Sequence, residues 1–140
     1  MKLFLTVTKK GLFVFLALIV VVFLSIMWMF SLEVSSIDGS THAKRISYIN
    51  SFGIAVDEDN FTSKDTAIPT EFGEVYNEYN KLQKEAGFDL ARFKGKGVTV
   101  YSYPVLKQDK NLTLIVCEGN IIGGDIAETS FSGKMLPLGK

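Results

Sequence analysis

An uninterrupted apolar segment near the N-terminus constrains this chain more than any other feature. Residues 11–32 read GLFVFLALIVVVFLSIMWMFSL and contain no charged side chain, with Lys10 directly before them and Glu33 directly after. At about 1.5 Å per residue, a helix of this length covers roughly 33 Å, enough to cross the ~30 Å hydrocarbon core of a bilayer. A buried helix of a small domain would be amphipathic, whereas this segment is apolar on all sides. The sequence therefore predicts a transmembrane helix.

The charges on either side of this segment predict its orientation. Residues 1–10 contain three lysines and no acidic residue, whereas the first charges after the segment are those of Glu33 and Asp38. The positive-inside rule therefore places residues 1–10 in the cytoplasm and residues 33–140 outside. A cleaved signal peptide is the alternative. Its apolar region is usually only about 7–15 residues long, so we expect an uncleaved single-pass anchor in the cell membrane.

The part of the chain after the anchor has the size of one small, slightly acidic domain. Residues 33–40 are polar and predict a tether, and residues 41–140 predict the folded domain. Three of the 15 basic residues and none of the 15 acidic ones precede residue 33, so the remainder carries a net charge of −3. This balance provides no basic face for nucleic acid, and no nucleic-acid partner is predicted. Cys117 is the only cysteine, which excludes an internal disulfide.

Two amphipathic helices are predicted in this domain. Thr41 can cap a helix that runs to Phe52, and Gly53 is suited to end it. Thr70 is expected to cap a second helix that runs to Ala86, with apolar residues three and four positions apart along one side.

Segments rich in β-branched and aromatic residues predict an antiparallel sheet. The predicted strands are residues 54–56, 62–68, 98–105, 112–118 and a segment that begins at residue 121. The strand LTLIVCE, residues 112–118, is the most apolar and is expected at the centre, with a hairpin turn at Gly119-Asn120. The predicted fold class is α+β: one N-terminal transmembrane helix, then a small domain of two helices packed on one face of an antiparallel sheet.

Two sequence blocks in this domain are similar to an uncharacterised bacterial family. The first is the pattern IP..F..VY..YN.LQ...GFDL over residues 68–90, and the second is IGGD at residues 122–125. The family is catalogued as a domain of unknown function and occurs in small single-pass proteins of Gram-positive bacteria. The resemblance covers about residues 45–136 and implies an anchored extracytoplasmic domain, without supplying an activity. A cysteine often stands in the family where this chain has Ala127, so that thiol cannot be essential here.

A candidate interaction site is predicted where the second helix ends and a glycine-containing strand passes. Its residues are Asn80, Gln83, Asp89, Gly123, Gly124 and Asp125. Amide and carboxylate groups beside exposed backbone are suited to binding a peptide or a sugar. The alternative is structural: these side chains satisfy one another and fix the helix to the sheet, and close packing of the helix explains the two glycines.

No catalytic, metal or cofactor site is predicted. Asp89 and Asp125 could act as acid and base in glycoside hydrolysis, which makes a small envelope hydrolase the alternative function. The structural alternative is that Asp89 caps a turn and Asp125 closes a strand. His42 is the only histidine, so zinc-hydrolase and serine-triad schemes lack parts. Cys117 is expected to be an inert buried thiol.

The predicted function is that of a membrane-anchored extracytoplasmic interaction or sensory module of the bacterial cell envelope. The expected partners are the membrane, through residues 11–32, and an envelope protein or a cell-wall ligand. This function requires only a binding surface, whereas an enzyme would require convergent catalytic side chains that the sequence does not display.

Overall fold

The computed structural model describes residues 9–31, 36–130 and 133–139, and the chain separates into the units Met1–Ser35 and Ser36–Lys140. In the first unit, helix α1 spans Lys9–Ser31. Its most apolar stretch, Lys10–Met27, has a mean hydropathy of 2.7, and every side chain in it is exposed. Helix α1 is therefore apolar and long enough to cross a membrane, as the sequence predicted. Residues 1–8 and 32–35, which belong to the predicted cytoplasmic segment, anchor end and tether, lie outside the described residues.

The second unit is an α+β domain with an antiparallel sheet, which confirms the predicted fold class. Its helices are α2 (His42–Asn50), α3 (Glu74–Glu85) and a 3-10 helix (Leu90–Phe93). Its strands are β1 (Ile37–Asp38), β2 (Thr62–Ala67), β3 (Gly97–Pro104), β4 (Lys110–Cys117), β5 (Asn120–Glu128) and β6 (Met135–Pro137). The strand order is β1-β5-β4-β3-β2, and β6 pairs with β5 beside β1. The apolar strand β4 is thus central, as predicted.

The two helices lie on opposite faces of the sheet, which corrects the prediction that both cover one face. Ile49 of α2 belongs to a buried cluster with Leu114 of β4. Tyr79 of α3 packs against a second cluster that contains Ile115, the next residue of the same strand. Since successive side chains of a strand point to opposite faces, the sheet has an α2 face and an α3 face. Burial on both faces explains why β4 reads as a continuous apolar run.

Local signals set several element boundaries as predicted. The Thr41 side chain caps α2 by accepting a hydrogen bond from the Lys44 backbone N–H at 3.3 Å. Gly53 follows that helix with φ of 70°. The Asp89 carboxylate caps the 3-10 helix by accepting from the Ala91 backbone N–H at 3.1 Å.

Other predicted boundaries were wrong, and α2 ends at Asn50 rather than at Phe52. Helix α3 begins at Glu74 with Gly73 at the N-cap position, rather than at Thr70, and Phe72 before it packs against Tyr76 with ring centroids 4.6 Å apart. Glycine is unfavourable inside a helix, which accounts for the later start. The predicted strand 54–56 is reduced to a single bridge between Val56 and Val105. The hairpin turns at Glu118-Gly119, where both residues have positive φ, one residue earlier than predicted.

Candidate functional site

The glycine pair of the predicted site lies at a β-bulge. The register between β4 and β5 shifts because Ile115 pairs with Gly123 whereas Val116 pairs with Ile121, which leaves Ile122 as an extra residue on β5. Bulges re-aim a strand locally and interrupt its regular pairing. The two glycines therefore stand where β5 changes direction in the sheet.

Close contacts from both faces explain why this position requires glycine. A Cβ atom on Gly123 would lie 3.0 Å from Oε1 of Gln83, on the α3 face. A Cβ atom on Gly124 would lie 2.9 Å from Cδ2 of Leu138 and 3.1 Å from the carbonyl oxygen of Thr113. The glycines thus allow α3 and the C-terminal segment to approach the sheet closely, which is the structural alternative that the sequence left open.

Gln83 closes a gap in the edge of β5. Strand β1 pairs with β5 at residues 120–121 and β6 pairs with it at residues 125–127, so the backbone of Gly124 lies between the two covering strands. The Gln83 side chain is fully buried, and its Oε1 accepts a hydrogen bond from the Gly124 N–H at 2.8 Å. Its Nε2 has no hydrogen-bond partner within the described parts of the chain. A side chain of helix α3 thus satisfies the edge N–H group that neither β1 nor β6 pairs.

Asn80 fixes the segment that follows α3. It is 5% exposed, and its Nδ2 donates to Oδ1 of Asp89 at 3.0 Å while its Oδ1 accepts from the Leu90 N–H at 2.8 Å. The Asn80 hydrogen bond, the Ala91 N–H and the Lys84 ammonium at 3.7 Å together lower the pKa of Asp89. Asp89 is thus an ionised capping group whose main hydrogen-bond partners, Asn80 and the Ala91 N–H, belong to the same domain.

Tyr79 holds Asp125, a contact that the sequence analysis missed. The Tyr79 hydroxyl donates to Oδ2 of Asp125 at 2.6 Å, and Asp125 is only 2% exposed. Burial raises the pKa of Asp125, and the hydrogen bond from Tyr79 opposes that rise. Burial, and then the charge of Asp125, raise the pKa of the Tyr79 phenol far above its usual range. A buried tyrosine hydroxyl usually has a hydrogen-bond partner. The presence of Tyr79 in the first sequence block and of Asp125 in the second could therefore have indicated this contact.

The predicted site residues therefore gather between α3 and the sheet, where their side chains bond to one another and to Tyr79, Leu90 and Ala91. This arrangement favours the structural alternative, and binding of a peptide or sugar there stays a prediction. The hydrolase alternative gains no support, because the carboxylate of Asp125 is closed to solvent while that of Asp89 is engaged in capping.

The single histidine and the single cysteine both pack against the core of the domain. His42 stacks on Phe61 with ring centroids 4.9 Å apart, and its Nδ1 is buried without a partner among the described residues. Cys117 is buried as predicted, its thiol lies 3.5 Å from the carbonyl oxygen of Gly97, and burial raises its pKa. Over residues 9–31, 36–130 and 133–139, no three histidine, cysteine or acidic side chains cluster as metal ligands would.

Strand β2 forms an open edge of the sheet that the sequence analysis did not single out. It pairs with β3 on one side, and all six of its residues are exposed. The N–H of Ile68, directly after β2, donates to the carbonyl of Lys96 at 2.9 Å. The backbone N–H and C=O groups of the even-numbered residues in this strand therefore point toward β3. Because backbone groups alternate along a strand, the outward N–H and C=O groups are those of Ser63, Asp65 and Ala67.

A shallow groove, here named the polar groove, lies on the α2 face beside β2. Its volume is about 390 Å³, and its lining includes Asp65, Thr99, Tyr101 and Glu118. The Thr99 hydroxyl donates to Oδ1 of Asp65 at 2.7 Å, and Asp65 forms no ion pair with any described residue. The Arg45 guanidinium lies 3.7 Å from the centre of the Tyr101 ring and supports the wall of the groove. Carboxylate and hydroxyl groups therefore lie next to the open edge on the α2 face.

The chain belongs to the family described as Domain of unknown function (DUF4830), whose model matches residues 48–126. This match confirms the predicted membership in a domain-of-unknown-function family, and it contains all six residues of the predicted interaction site. The bacterial origin and the membrane anchor implied by the resemblance stay predictions. No curated protein and no solved structure matches the chain significantly.

Proposed function

We propose that this protein is a membrane-anchored interaction module of the cell envelope, whose extracytoplasmic α+β domain binds an extended segment of a partner protein along β2. The observation that carries the proposal is the open edge: six exposed residues in a sheet whose other edge is covered. Addition of a strand to such an edge is a recurrent mode of peptide recognition, because the main-chain hydrogen bonds supply affinity and neighbouring side chains supply specificity.

The anchor supports the first part of the proposal. Helix α1 has a mean hydropathy of 2.7 over Lys10–Met27, and three lysines precede or begin it, which favours a cytoplasmic N-terminus and an external domain. Protease added to intact protoplasts is expected to remove residues 33–140 and to leave the anchor protected. Survival of the domain under conditions that degrade an external control protein would contradict this orientation.

A second copy of β2 is a poor occupant of the open edge. Only the odd-numbered residues direct their backbone groups outward, so two antiparallel copies can pair only in registers that oppose residues of the same parity. The two registers that keep most of the strand paired place Lys64 opposite Lys64 of the second copy, or Asp65 opposite Asp65 of the second copy. Like charges directly opposite each other destabilise a sheet.

A segment of a different protein can complement both charges. An antiparallel strand with a basic residue opposite Asp65 and an acidic residue next along its chain would place the acidic residue opposite Lys64. The basic side chain would then point toward the α2 face, where the carboxylates of Asp65 and Glu118 border the polar groove. The proposed partner is therefore an extended polypeptide that contains a basic residue followed directly by an acidic one.

Two peptides of identical composition test this assignment on the full-length protein in lipid nanodiscs. The peptide TVTKETVT carries the complementary order, and TVTEKTVT carries the reversed order. We expect the first to bind roughly five- to tenfold more tightly, with amide NMR shifts at Ser63, Asp65 and Ala67. The double variant Lys64→Asp/Asp65→Lys should reverse the preference.

Ser63 provides a matched pair of backbone variants. Its N–H points away from β3, so Ser63→Pro removes an outward donor without removing a bond within the sheet, and it should weaken binding of TVTKETVT. Ser63→Ala should bind as the wild type does. The proposal fails if neither peptide shifts the β2 amides, or if the charge exchange leaves the preference unchanged.

A further inference from the structure

A second cavity lies on the α2 face at the opposite end of the sheet from the polar groove. Its volume is about 440 Å³, within the range of roughly 300–1,000 Å³ typical of small-molecule sites. Most of the side chains that line this apolar cavity are hydrophobic: Phe52, Ile54, Val105, Ile126 and Leu136. They come from the segment after α2, the residue after β3, and strands β5 and β6. Residues distant in sequence therefore build one concave apolar surface.

The wall of this cavity is held in place from two sides. The Phe52 ring meets the Tyr48 ring edge-to-face at a centroid distance of 5.0 Å. The Phe52 ring also lies against Gly139, where a Cβ atom would be 2.9 Å from Cε1 of Phe52. Phe52 is nevertheless 36% exposed, so apolar surface stays in contact with water although the ring is fixed. A ligand that covered this surface would gain hydrophobic free energy with little ordering of the wall.

Two polar side chains at the cavity define the chemistry of its ligand. Gln108 supplies an amide and Lys110 supplies an ammonium group, whereas the described lining residues include no carboxylate. Glu128 lies opposite Lys110 in the β4–β5 register, yet the two form no ion pair, and the Glu128 carboxylate instead accepts from the Lys134 N–H at 3.3 Å. In the described chain the Lys110 ammonium is thus unpaired beside an apolar wall.

We propose that the apolar cavity binds a small aliphatic carboxylate from solution, with its chain against Phe52, Ile54 and Ile126 and its carboxylate on the Lys110 ammonium. The geometry provides hydrophobic contact and one charge-assisted hydrogen bond, which together favour this class over a neutral or cationic ligand. This site is separate from the β2 edge, and it would give the domain a sensory role in addition to partner binding.

Octanoate and its neutral isostere octanamide test the site on the full-length protein in phosphatidylcholine nanodiscs. We expect octanoate to shift the methyl NMR signals of Ile54 and Ile126, while Ile115 and Ile122 on the α3 face serve as internal controls and stay unchanged. Octanoate should bind about tenfold more tightly than octanamide, consistent with one charge-assisted contact.

Matched variants separate the charge from the apolar wall. Lys110→Gln should reduce octanoate affinity to that of octanamide, whereas Lys107→Gln, at an exposed lysine outside the lining, should leave it unchanged. Ile126→Trp should fill the cavity and abolish binding of both compounds, and Leu136→Trp provides a second filling variant if the first lowers the melting temperature strongly. The proposal is overturned if octanoate shifts the methyls of both faces equally, as partition into the bilayer would, if it shifts none, or if the two lysine variants bind alike.

Discussion

The two edges of this sheet are built in opposite ways. The β5 edge is closed by three devices along its length: strand β1, the side chain of Gln83 and strand β6. Residues 121–125 of that strand are buried, and two of them are glycines that admit close neighbours. Strand β2 consists of polar and small residues, and every one is exposed.

The difference indicates that the covered β5 edge contributes to stability, whereas the open β2 edge remains accessible to a partner strand. An apolar edge left open would be a site of aggregation, and β5 is covered accordingly. The charges of Lys64 and Asp65 protect β2 from pairing with another copy, so this edge can remain open to a complementary strand. Stability should therefore depend on the β5 side, and binding on the β2 side.

The largest effect is expected at the sheet centre, which sets the scale for both edges. Val116 is 8% exposed on β4, and Val116→Asp would bury an unpaired charge at a cost on the order of 4 kcal/mol. Lys64→Asp, on exposed β2, should change stability by less than about 0.5 kcal/mol. Urea unfolding measures both, and an unchanged midpoint for Val116→Asp would mean that β4 is not central to the core.

A glycine substitution at the closed edge should have the next largest effect. Gly124→Ala places a methyl group 2.9 Å from Leu138 and 3.1 Å from a carbonyl oxygen, which should destabilise the domain by about 1–3 kcal/mol. Gly97→Ala is the matched control beside β2, because no atom lies within 4 Å of its Cβ position. Equal melting temperatures for the two variants would contradict the difference between the edges.

The polar side chains of α3 test whether the predicted interaction site is structural. Asn80→Ala would leave the buried N–H of Leu90 unpaired, and Gln83→Ala would do the same to Gly124. Each loss should cost about 1–3 kcal/mol, and each kcal/mol should lower the melting temperature by about 4–8 °C. Unchanged melting temperatures in both variants, together with weaker partner capture, would instead favour the binding site predicted from the sequence.

The two aspartates should show opposite pH dependence, as the smallest of these effects. The pKa of Asp89 is lowered in the folded state. Its ionised form therefore stabilises the fold above the ordinary pKa of 3.8, and this stabilisation is lost as pH falls through the folded pKa. The pKa of Asp125 is raised, so its ionisation costs stability as pH rises above 3.8. Asp89→Asn should therefore lower the melting temperature at pH 7, and lower it less as the pH falls below 3.8. Asp125→Asn should instead affect the melting temperature more favourably at pH 7 than below pH 3.8. Parallel pH profiles for the two variants would contradict these environments.

Short-range signals in the sequence were sufficient for much of the fold. An apolar run predicts α1, a capping threonine places the start of α2, and Asp89 caps the turn that it was expected to cap. Each depends on residues within a few positions of one another. The centre of the sheet was equally predictable, because a strand buried on both faces reads as a nearly continuous apolar run, as Leu114–Cys117 does here.

The arrangement of these elements was not predictable by the same reasoning. Helical periodicity shows which side chains point inward but not which face of a sheet a helix covers, so Leu114 and Val116 lie toward α2 and not beneath Tyr79. Strands of two or three residues, such as β1, carry no readable pattern, and their pairing is entirely long-range. The open edge did carry a signal, since TSKDTA has no apolar alternation and could have been recognised as exposed on both faces.

Residue-resolved hydrogen exchange on the full-length anchored protein compares the open β2 edge with the covered β5 edge in one experiment. We expect fast exchange at the outward amides of Ser63, Asp65 and Ala67, and slow exchange at the Gly124 amide, which is hydrogen-bonded to Gln83. Addition of TVTKETVT should slow the three β2 amides about tenfold or more, while the reversed peptide TVTEKTVT has a much smaller effect. Protection of the β2 amides before any peptide is added, or their continued fast exchange at a saturating concentration of TVTKETVT, would contradict the proposal that β2 is an open edge for a partner strand.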